Sequence, residues 1–368
     1  MNTRLSELVQ ISQFYGSNPE YVIAGGGNTS FKDDHHLWIK ASGTSLATIT
    51  EEGFAKMNRD CLNKISEKKY SDDPLKREAE IKDELYNCIA GDKSKRPSVE
   101  TSLHNLLDYS FVVHTHPTLI NALMCSKNAR QETQEIFGSN ALFVEYTDPG
   151  YVLFKLVEKR INEYKAINKK EPEIIFLENH GVFVSSNSTQ EITDIYDYIR
   201  EQIGAKVKHT LPSSELKSTK LEELVNILKD KTKLVGQAFS SDIIEAFVKD
   251  DSAFEKVNTA FTPDNIVYCK AHYLFSDADP KSIYQDYLDF QQKYGYPPRV
   301  IGVKNKGIIC LEENEKSVLT VYEVFLDMLK ISFLAENFGG PKFMTDKQIE
   351  FIDNWEVENY RRKIAKQG

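Results

Sequence analysis

Two histidines, His114 and His116, stand two apart in Phe111-Val112-Val113-His114-Thr115-His116, a run that reads as a strand. Side chains alternate across a strand, so both imidazoles are expected on one face and Val113 and Thr115 on the other. By itself such a pair is compatible with a purely structural role. A third histidine, His180, lies in the tight turn Asn179-His180-Gly181 between the apolar runs 173–178 and 182–184. A turn at a sheet end presents an imidazole well, and a partner strand can bring it to the first two. Three neutral imidazoles with one vacant position form the donor set of a catalytic zinc, whereas structural zinc fills all four positions, often with cysteine. No cysteine stands near these histidines, so an open-coordinate metal held by His114, His116 and His180 is expected.

Glu100 precedes that strand and opens the short helix that leads into it. A carboxylate there can serve as general base or as a displaceable fourth ligand. It is equally a helix N-terminal acid favoured by the dipole. Two further segments are small and polar, Gly25-Gly26-Gly27-Asn28 and Ser42-Gly43-Thr44, each at a predicted strand end. Glycines let backbone N–H groups approach a ligand, and clustered N–H groups bind anions. Neither segment is a Gly-x-Gly-x-x-Gly or Walker loop, so a single phosphate is expected rather than a nucleotide, and a plain turn accounts for them equally well. His35-His36 reads as a solvated hairpin tip. His104, His209 and His272 have no partner spacing and are expected to be structural.

Alternating helices and short β-rich runs supply the framework, an α/β layer architecture. An opening helix carries Leu5, Leu8, Val9 and Ile11. Strands are expected at 21–24 and 37–40, a solvated helical excursion at about 64–96, and a helix beginning after Pro97. Pro117 suits the first turn of the helix after His116. Ser188 and Glu191 have capping-box spacing at the start of another helix. The polar stretch 206–222 reads as a linker, which places a domain in 1–210 and a second α/β domain in 211–368. In the second, a strand is expected at 266–269, a helix at 281–293, a strand pair within 300–311, a long helix at 317–338 stopped by Gly339-Gly340-Pro341, and a last helix from near Thr345. The segments 176–184 and 302–310 align, with Lys306 where His180 stands, so the second domain reads as a possible degenerate repeat without metal ligands.

The 368 residues suit two domains, and a chain of this size buries enough surface to fold without disulfide or metal. With 46 basic against 55 acidic residues, the net charge of −9 speaks against nucleic acid or an acidic membrane as partner. No run is long and apolar enough to span a bilayer, and the first residues carry no apolar segment of a secretory signal. The five cysteines (Cys61, Cys88, Cys125, Cys269, Cys310) are an odd number without a Cys-x-x-Cys pair, so free thiols in a reducing cytoplasm are expected.

Taken in order, Gly27-Asn28-Thr29-Ser30, Lys40-Ala41-Ser42-Gly43-Thr44, Pro97-Ser98-Val99-Glu100, His114-Thr115-His116-Pro117, Asp148-Pro149-Gly150 and Glu178-Asn179-His180-Gly181 resemble the class II aldolase/adducin family. Similarity is greater still to the aldolase portion of bifunctional rhamnulose-1-phosphate aldolase/short-chain dehydrogenase proteins. It runs through Glu145 to Tyr151, Thr262-Pro263-Asp264-Asn265 and the final stretch from Trp355 to Lys366, without a dehydrogenase part. The resemblance implies a three-layer α/β/α fold with a mixed, largely antiparallel sheet. It implies one Zn²⁺ or other divalent metal per subunit on His114, His116 and His180, Glu100 as catalytic residue, and a substrate phosphate at Gly27, Asn28, Ser42, Gly43 and Ser98. Val99 stands where the family motif has a second serine, and no match for the family's mobile tyrosine is evident. The implied activity is reversible cleavage of a ketose 1-phosphate to dihydroxyacetone phosphate and an aldehyde, in a cytoplasmic homo-oligomer. Epimerase, dehydratase or decarboxylase chemistry on a sugar phosphate, and an adducin-like assembly role, are the alternatives.

Overall fold

The computed structural model describes residues 3–355, so the end of the expected last helical stretch, 356–366, lies outside the described residues. The chain divides into two compact units. One holds the residues up to Met124 together with Asn128–Lys206, and the other holds Cys125–Lys127 and the chain from Val207 on. The boundary thus falls at 206/207, four residues before the expected one, and the stretch 207–221 has no regular structure.

The first unit is built on seven strands: β1 (Asn28–Lys32), β2 (His36–Lys40), β3 (Phe54–Asn58), β4 (Phe111–Thr115), β5 (Leu142–Val144), β6 (Ile174–Leu177) and β7 (Gly181–Ser186), in the order β3-β2-β1-β4-β7-β6-β5. All neighbours are antiparallel except β5 and β6, which are parallel. Helices cover both faces of this mixed sheet in a three-layer α/β/α arrangement. On one face Leu103 and Leu107 join Leu153, Phe154, Val157 and Ile161 of helix Tyr151–Asn168 against Val112, Val144, Ile175 and Phe183. On the other, Thr29 Oγ1 is 2.6 Å from Ser12 of helix Thr3–Gly16, and Thr115 Oγ1 is 2.7 Å from Tyr196 Oη of helix Thr189–Gly204.

Several local expectations change. The run 21–24 is not a strand. Tyr21 lies in a turn, Ala24 has φ +53°, and the strand starts only at Asn28, after the glycines. The Tyr21 carbonyl accepts from the His116 N–H at 3.1 Å, so this loop steadies the end of β4 instead. Ser188 caps its helix without a side-chain hydrogen bond, and Glu191 accepts from the Ser186 hydroxyl. The polar excursion contains helix Pro74–Asn87, which buries Ile81 and Leu85 against Leu37, Ile39, Ala55 and Met57.

That packing also overturns the expectation of five free thiols. Ile89 bridges Met57, and the Asn58 N–H bonds the Cys88 carbonyl at 2.8 Å. Cys61 follows on the next helical turn, and the two cysteines form a disulfide across 27 residues with their Cα atoms 5.4 Å apart. Cys125, Cys269 and Cys310 are free and buried. No described helix is long and apolar enough to cross a membrane.

The second unit carries β8 (Val235–Phe239), β9 (Leu274–Ser276), β10 (Val300–Val303) and β11 (Gly307–Glu312) in the order β8-β11-β10-β9. The expected strand at 266–269 is instead helix Pro263–Cys269. Thr262 and Asn265 form a capping box there and proline occupies the first turn, local cues that outweigh four β-prone residues. Helices Ile283–Tyr294, Glu315–Ala335 and Asp346–Asn354 fall near their expected places.

Sheet order β8-β11-β10-β9 has the same pairings as β4-β7-β6-β5, antiparallel twice and then parallel. Leu177 pairs with Gly181 as Val303 pairs with Gly307, and the turns place Asn179 at φ +54° and Asn305 at φ +60°. His114 faces Phe183 as Ala238 faces Ile309.

Candidate metal centre

Alternation along β1 and β4 builds the site. Asn28, Ser30 and Lys32 face helix Thr101–Leu106, each bonding His104 of that helix, while Thr29 points to the opposite layer. On β4, His114 shares the face of Val112 and stacks on Phe183 with ring centroids 4.1 Å apart, while Thr115 points away. His116 follows the strand directly, its ring on the same side as His114. His180 enters from the β6–β7 turn, where Asn179 takes the left-handed conformation and its N–H bonds the Met124 carbonyl at 3.1 Å.

The three rings converge. Centroid separations are 4.8 Å for His114–His116, 5.0 Å for His114–His180 and 5.1 Å for His116–His180. One nitrogen from each lies within 4.8 Å of the others, and this is the metal-type group of three among the described residues. His114 Nε2 and His116 Nε2 are 3.0 Å apart, close to the roughly 3.3 Å that two nitrogens span on one tetrahedral zinc. His114 Nδ1 donates to the Val182 carbonyl at 2.9 Å, so the hydrogen sits on Nδ1 and the ring turns the lone pair of Nε2 toward the other two imidazoles. Close packing fixes the geometry from outside. A Cβ at Gly181 would lie 2.5 Å from the Thr115 carbonyl and 2.7 Å from His116 Cδ2, so only glycine fits there.

Glu100 is the N-cap residue of helix Thr101–Leu106, is buried, and makes no capping bond. The reading as a plain helix-terminal acid therefore gives way to another arrangement. Its Oε2 accepts from Asn28 Nδ2, and its Oε1 lies 3.5 Å from His114 Nε2 and 3.7 Å from His180 Nε2. Oε1 has no hydrogen-bond partner among the described residues. A buried carboxylate oxygen of this kind is costly unless something else completes it. Three imidazole nitrogens and an unsatisfied carboxylate oxygen facing one point are the donor set of a divalent cation, so these residues fit a metal.

Asn28 and Ser42 are both bonded to the Arg96-Pro97-Ser98 segment, with Gly27 just before the one and Gly43, at φ +88°, just after the other. Gly27 has φ +67°, and a Cβ there would come within 2.8 Å of the His114 carbonyl, so conformation and contact both require glycine. Ala41 bridges Pro97, the Ser42 N–H bonds the Arg96 carbonyl at 2.8 Å, and Ser42 Oγ donates to the Pro97 carbonyl at 3.3 Å. Ser98 Oγ lies 3.4 Å from Asn28 Nδ2 and accepts the Glu100 N–H at 3.2 Å. The two loops and the Pro97-Ser98 segment thus meet. His104, expected to be structural for want of a spaced partner, turns out to be fully buried against Asn28 and Ser30. Its position four residues after Glu100, one turn along the helix, was the available signal.

Residues 6–203, more than half of the chain, match the family described as Class II Aldolase and Adducin N-terminal domain. The chain belongs to this family. It is 27% identical over 415 aligned residues to a Bacillus subtilis (strain 168) protein named Uncharacterized oxidoreductase YuxG, covering 98% of this chain and 58% of the relative. The chain therefore spans little more than half the length of that relative. It is 26% identical to the L-fuculose phosphate aldolase of Methanocaldococcus jannaschii, over 44% of this chain and 74% of the relative. It is also 26% identical to the methylthioribulose-1-phosphate dehydratase of Microcystis aeruginosa (strain NIES-843), over 53% and 92% respectively. Members of this family are usually lyases or related enzymes, typically dependent on a divalent metal.

Proposed function

We propose that this protein is a zinc-dependent class II aldolase that reversibly cleaves a ketose 1-phosphate of the rhamnulose 1-phosphate kind to dihydroxyacetone phosphate and an aldehyde. The observation that carries this reading is the unpartnered Glu100 Oε1 facing two of the three convergent imidazoles. His114, His116 and His180 would hold the ion, and Zn²⁺ supplies Lewis acidity for the negative charge that develops on the ketose oxygen as the carbon–carbon bond breaks. Glu100 moves the proton of the three-carbon fragment at Oε1. Gly27, Asn28, Ser42, Gly43 and Ser98 hold the phosphate. Binding energy remote from the reacting carbons then orients them. The sugar class, zinc as the metal, a homo-oligomer and a cytoplasmic location belong to the same proposal.

The decisive experiment incubates the zinc-loaded protein with a panel of ketose 1-phosphates and traps released triose phosphate. Triose phosphate from at least one sugar is expected. Failure to release it from every sugar refutes the aldolase reading. The similarity to a methylthioribulose-1-phosphate dehydratase favours dehydration as the second reading, and a product that keeps every substrate carbon and has lost water would select it.

We also propose that the second unit is a degenerate repeat of β4 to β7 and their helices. By register, Ala238, Ser240 and Lys306 occupy the positions of His114, His116 and His180, so the repeat lacks the histidine ligand set at those positions.

A further inference from the structure

His104 is the most deeply committed side chain beside the centre. Both ring nitrogens are used. Ser30 Oγ lies 2.7 Å from Nδ1, and Nε2 meets Asn28 Oδ1. An amide oxygen only accepts, so Nε2 carries the hydrogen, and Nδ1 accepts from the Ser30 hydroxyl. Lys32 Nζ donates to the backbone carbonyl of His104 and fixes the residue from behind.

Beyond His104 the chain of bonds continues to the carboxylate. Asn28 Nδ2 donates to Glu100 Oε2 and faces Ser98 Oγ at 3.4 Å. Both ends of the Asn28 amide are thus engaged, its oxygen by His104 and its NH₂ by Glu100. Turned over, the amide would set its oxygen against a carboxylate and its NH₂ against the Nε2–H of His104, acceptor to acceptor and donor to donor. One tautomer of His104 therefore admits one orientation of Asn28, and that orientation holds Glu100 by Oε2 and leaves Oε1 facing the imidazoles.

We propose that His104 is a positioning residue for Glu100, acting through Asn28, with Ser30 selecting its tautomer. The link to turnover rests on the acid–base role proposed for Glu100, whereas the tautomer and the bonding order do not. Burial, with His114 and Lys32 adding to it, holds the imidazole well below its usual pKa, consistent with a neutral ring that orients and does not exchange protons.

Two measurements test this. In metal-free, ¹⁵N-labelled full-length protein at pH 7, the His104 ring is expected neutral, with Nε2 protonated and Nδ1 bare. A protonated Nδ1 overturns the proposal without reference to any reaction. In the zinc-loaded protein, His104→Phe should keep its metal and lower kcat by about 10- to 100-fold with KM within about twofold, as expected for a small displacement of a reacting group. His104→Gln, which can still donate to Asn28, should recover most of that loss. Combined with Asn28→Ala, His104→Phe should add little further loss, because both act on one chain of bonds. Fully additive losses, or no rescue by glutamine, overturn it. Wild-type protein inactive on every ketose 1-phosphate would defeat the aldolase reading and leave the tautomer result to decide this one.

Discussion

Glu100 Oε1 lies 3.5 Å from His114 Nε2, although the two residues reach that point from different elements, a helix N-terminus and a strand end. The other carboxylate oxygen is tied to Asn28 on the neighbouring strand. One oxygen anchors the group and the other faces the place where a cation would sit. An acid–base group next to a Lewis acid needs that division, because a carboxylate bonded at both oxygens has little freedom to move a proton.

Glu100→Gln separates the two functions. The amide is nearly isosteric and keeps an oxygen for Asn28, so fold and zinc content should match the wild type. Turnover should fall by about 10²- to 10⁴-fold, the usual worth of a positioned general base. Proton exchange at the three-carbon fragment of dihydroxyacetone phosphate, followed in D₂O, should fall by the same factor. Wild-type exchange in this variant removes Glu100 from the mechanism.

Metal stoichiometry tests the unequal pairing of the two units. One zinc per chain is expected by elemental analysis, lost in His114→Ala or His180→Ala and unchanged in Lys306→Ala. His114→Ala should also leave the Gly25-Gly26-Gly27-Asn28 loop folded, since Gly27 packs on the backbone carbonyl of His114 and not on its ring. Two ions per chain would contradict the assignment of the second unit as a repeat without ligands.

The convergence of His114, His116 and His180 was legible because its signals are local: a two-residue spacing on a strand, and a histidine held in a turn by Asn179 and Gly181. The long helices and the Val300–Leu311 hairpin were legible for the same reason. What escaped depends on contacts between distant segments. The run 21–24 has strand-like residues, yet its partners are loop groups, and β1 begins where Asn28 can pair with His114. Ile266 to Cys269 are β-prone, but the Thr262 cap starts a helix. His104 has no spaced partner in sequence because its partners, Asn28 and Ser30, lie on a strand more than seventy residues earlier. The Cys61–Cys88 bond hides likewise behind the folding back of helix Pro74–Asn87.

Peptide mapping under non-reducing conditions should recover Cys61 and Cys88 in one linked fragment and find the other three cysteines free. Closing a loop of this length contributes about 3–4 kcal/mol on chain-entropy grounds. Cys88→Ser should therefore lower the urea midpoint of the first unit while metal binding at low denaturant stays intact, since neither cysteine touches the triad. An unchanged midpoint would show that the bond does not form in solution.

Gly181→Ala probes how tightly the triad is packed. The new methyl would meet the Thr115 carbonyl and the edge of the His116 ring, neither of which can yield without moving a ligand. Overpacking of this kind costs about 1–3 kcal/mol of stability. Zinc affinity should fall by about 10- to 100-fold, as for other disturbances just outside a coordination sphere. Competition with a chelating dye measures it, and wild-type affinity would mean that His116 is free to shift.

Lys32 gives the pH dependence with a definite sign. Burial, with Arg59 adding to it, lowers its pKa from 10.5 to about 7. Between those values the unfolded chain binds a proton that the folded chain does not, so this residue makes stability rise with pH across that window. Below about pH 7 the cost of burying the ammonium is constant and largest, on the order of 5 kcal/mol for a shift of this size. Lys32→Met removes that cost together with one bond to the His104 carbonyl. The variant should exceed wild type in urea stability at pH 6, by less than the full cost because of the lost bond. Its advantage should shrink steadily toward pH 9, as the wild-type amine loses its proton. A difference between the two proteins that stays constant from pH 6 to pH 9 would mean that Lys32 keeps its ordinary proton affinity in the fold. Its ammonium would then have to be compensated by Asp108 and Glu171, the two acidic groups whose charges already oppose the shift.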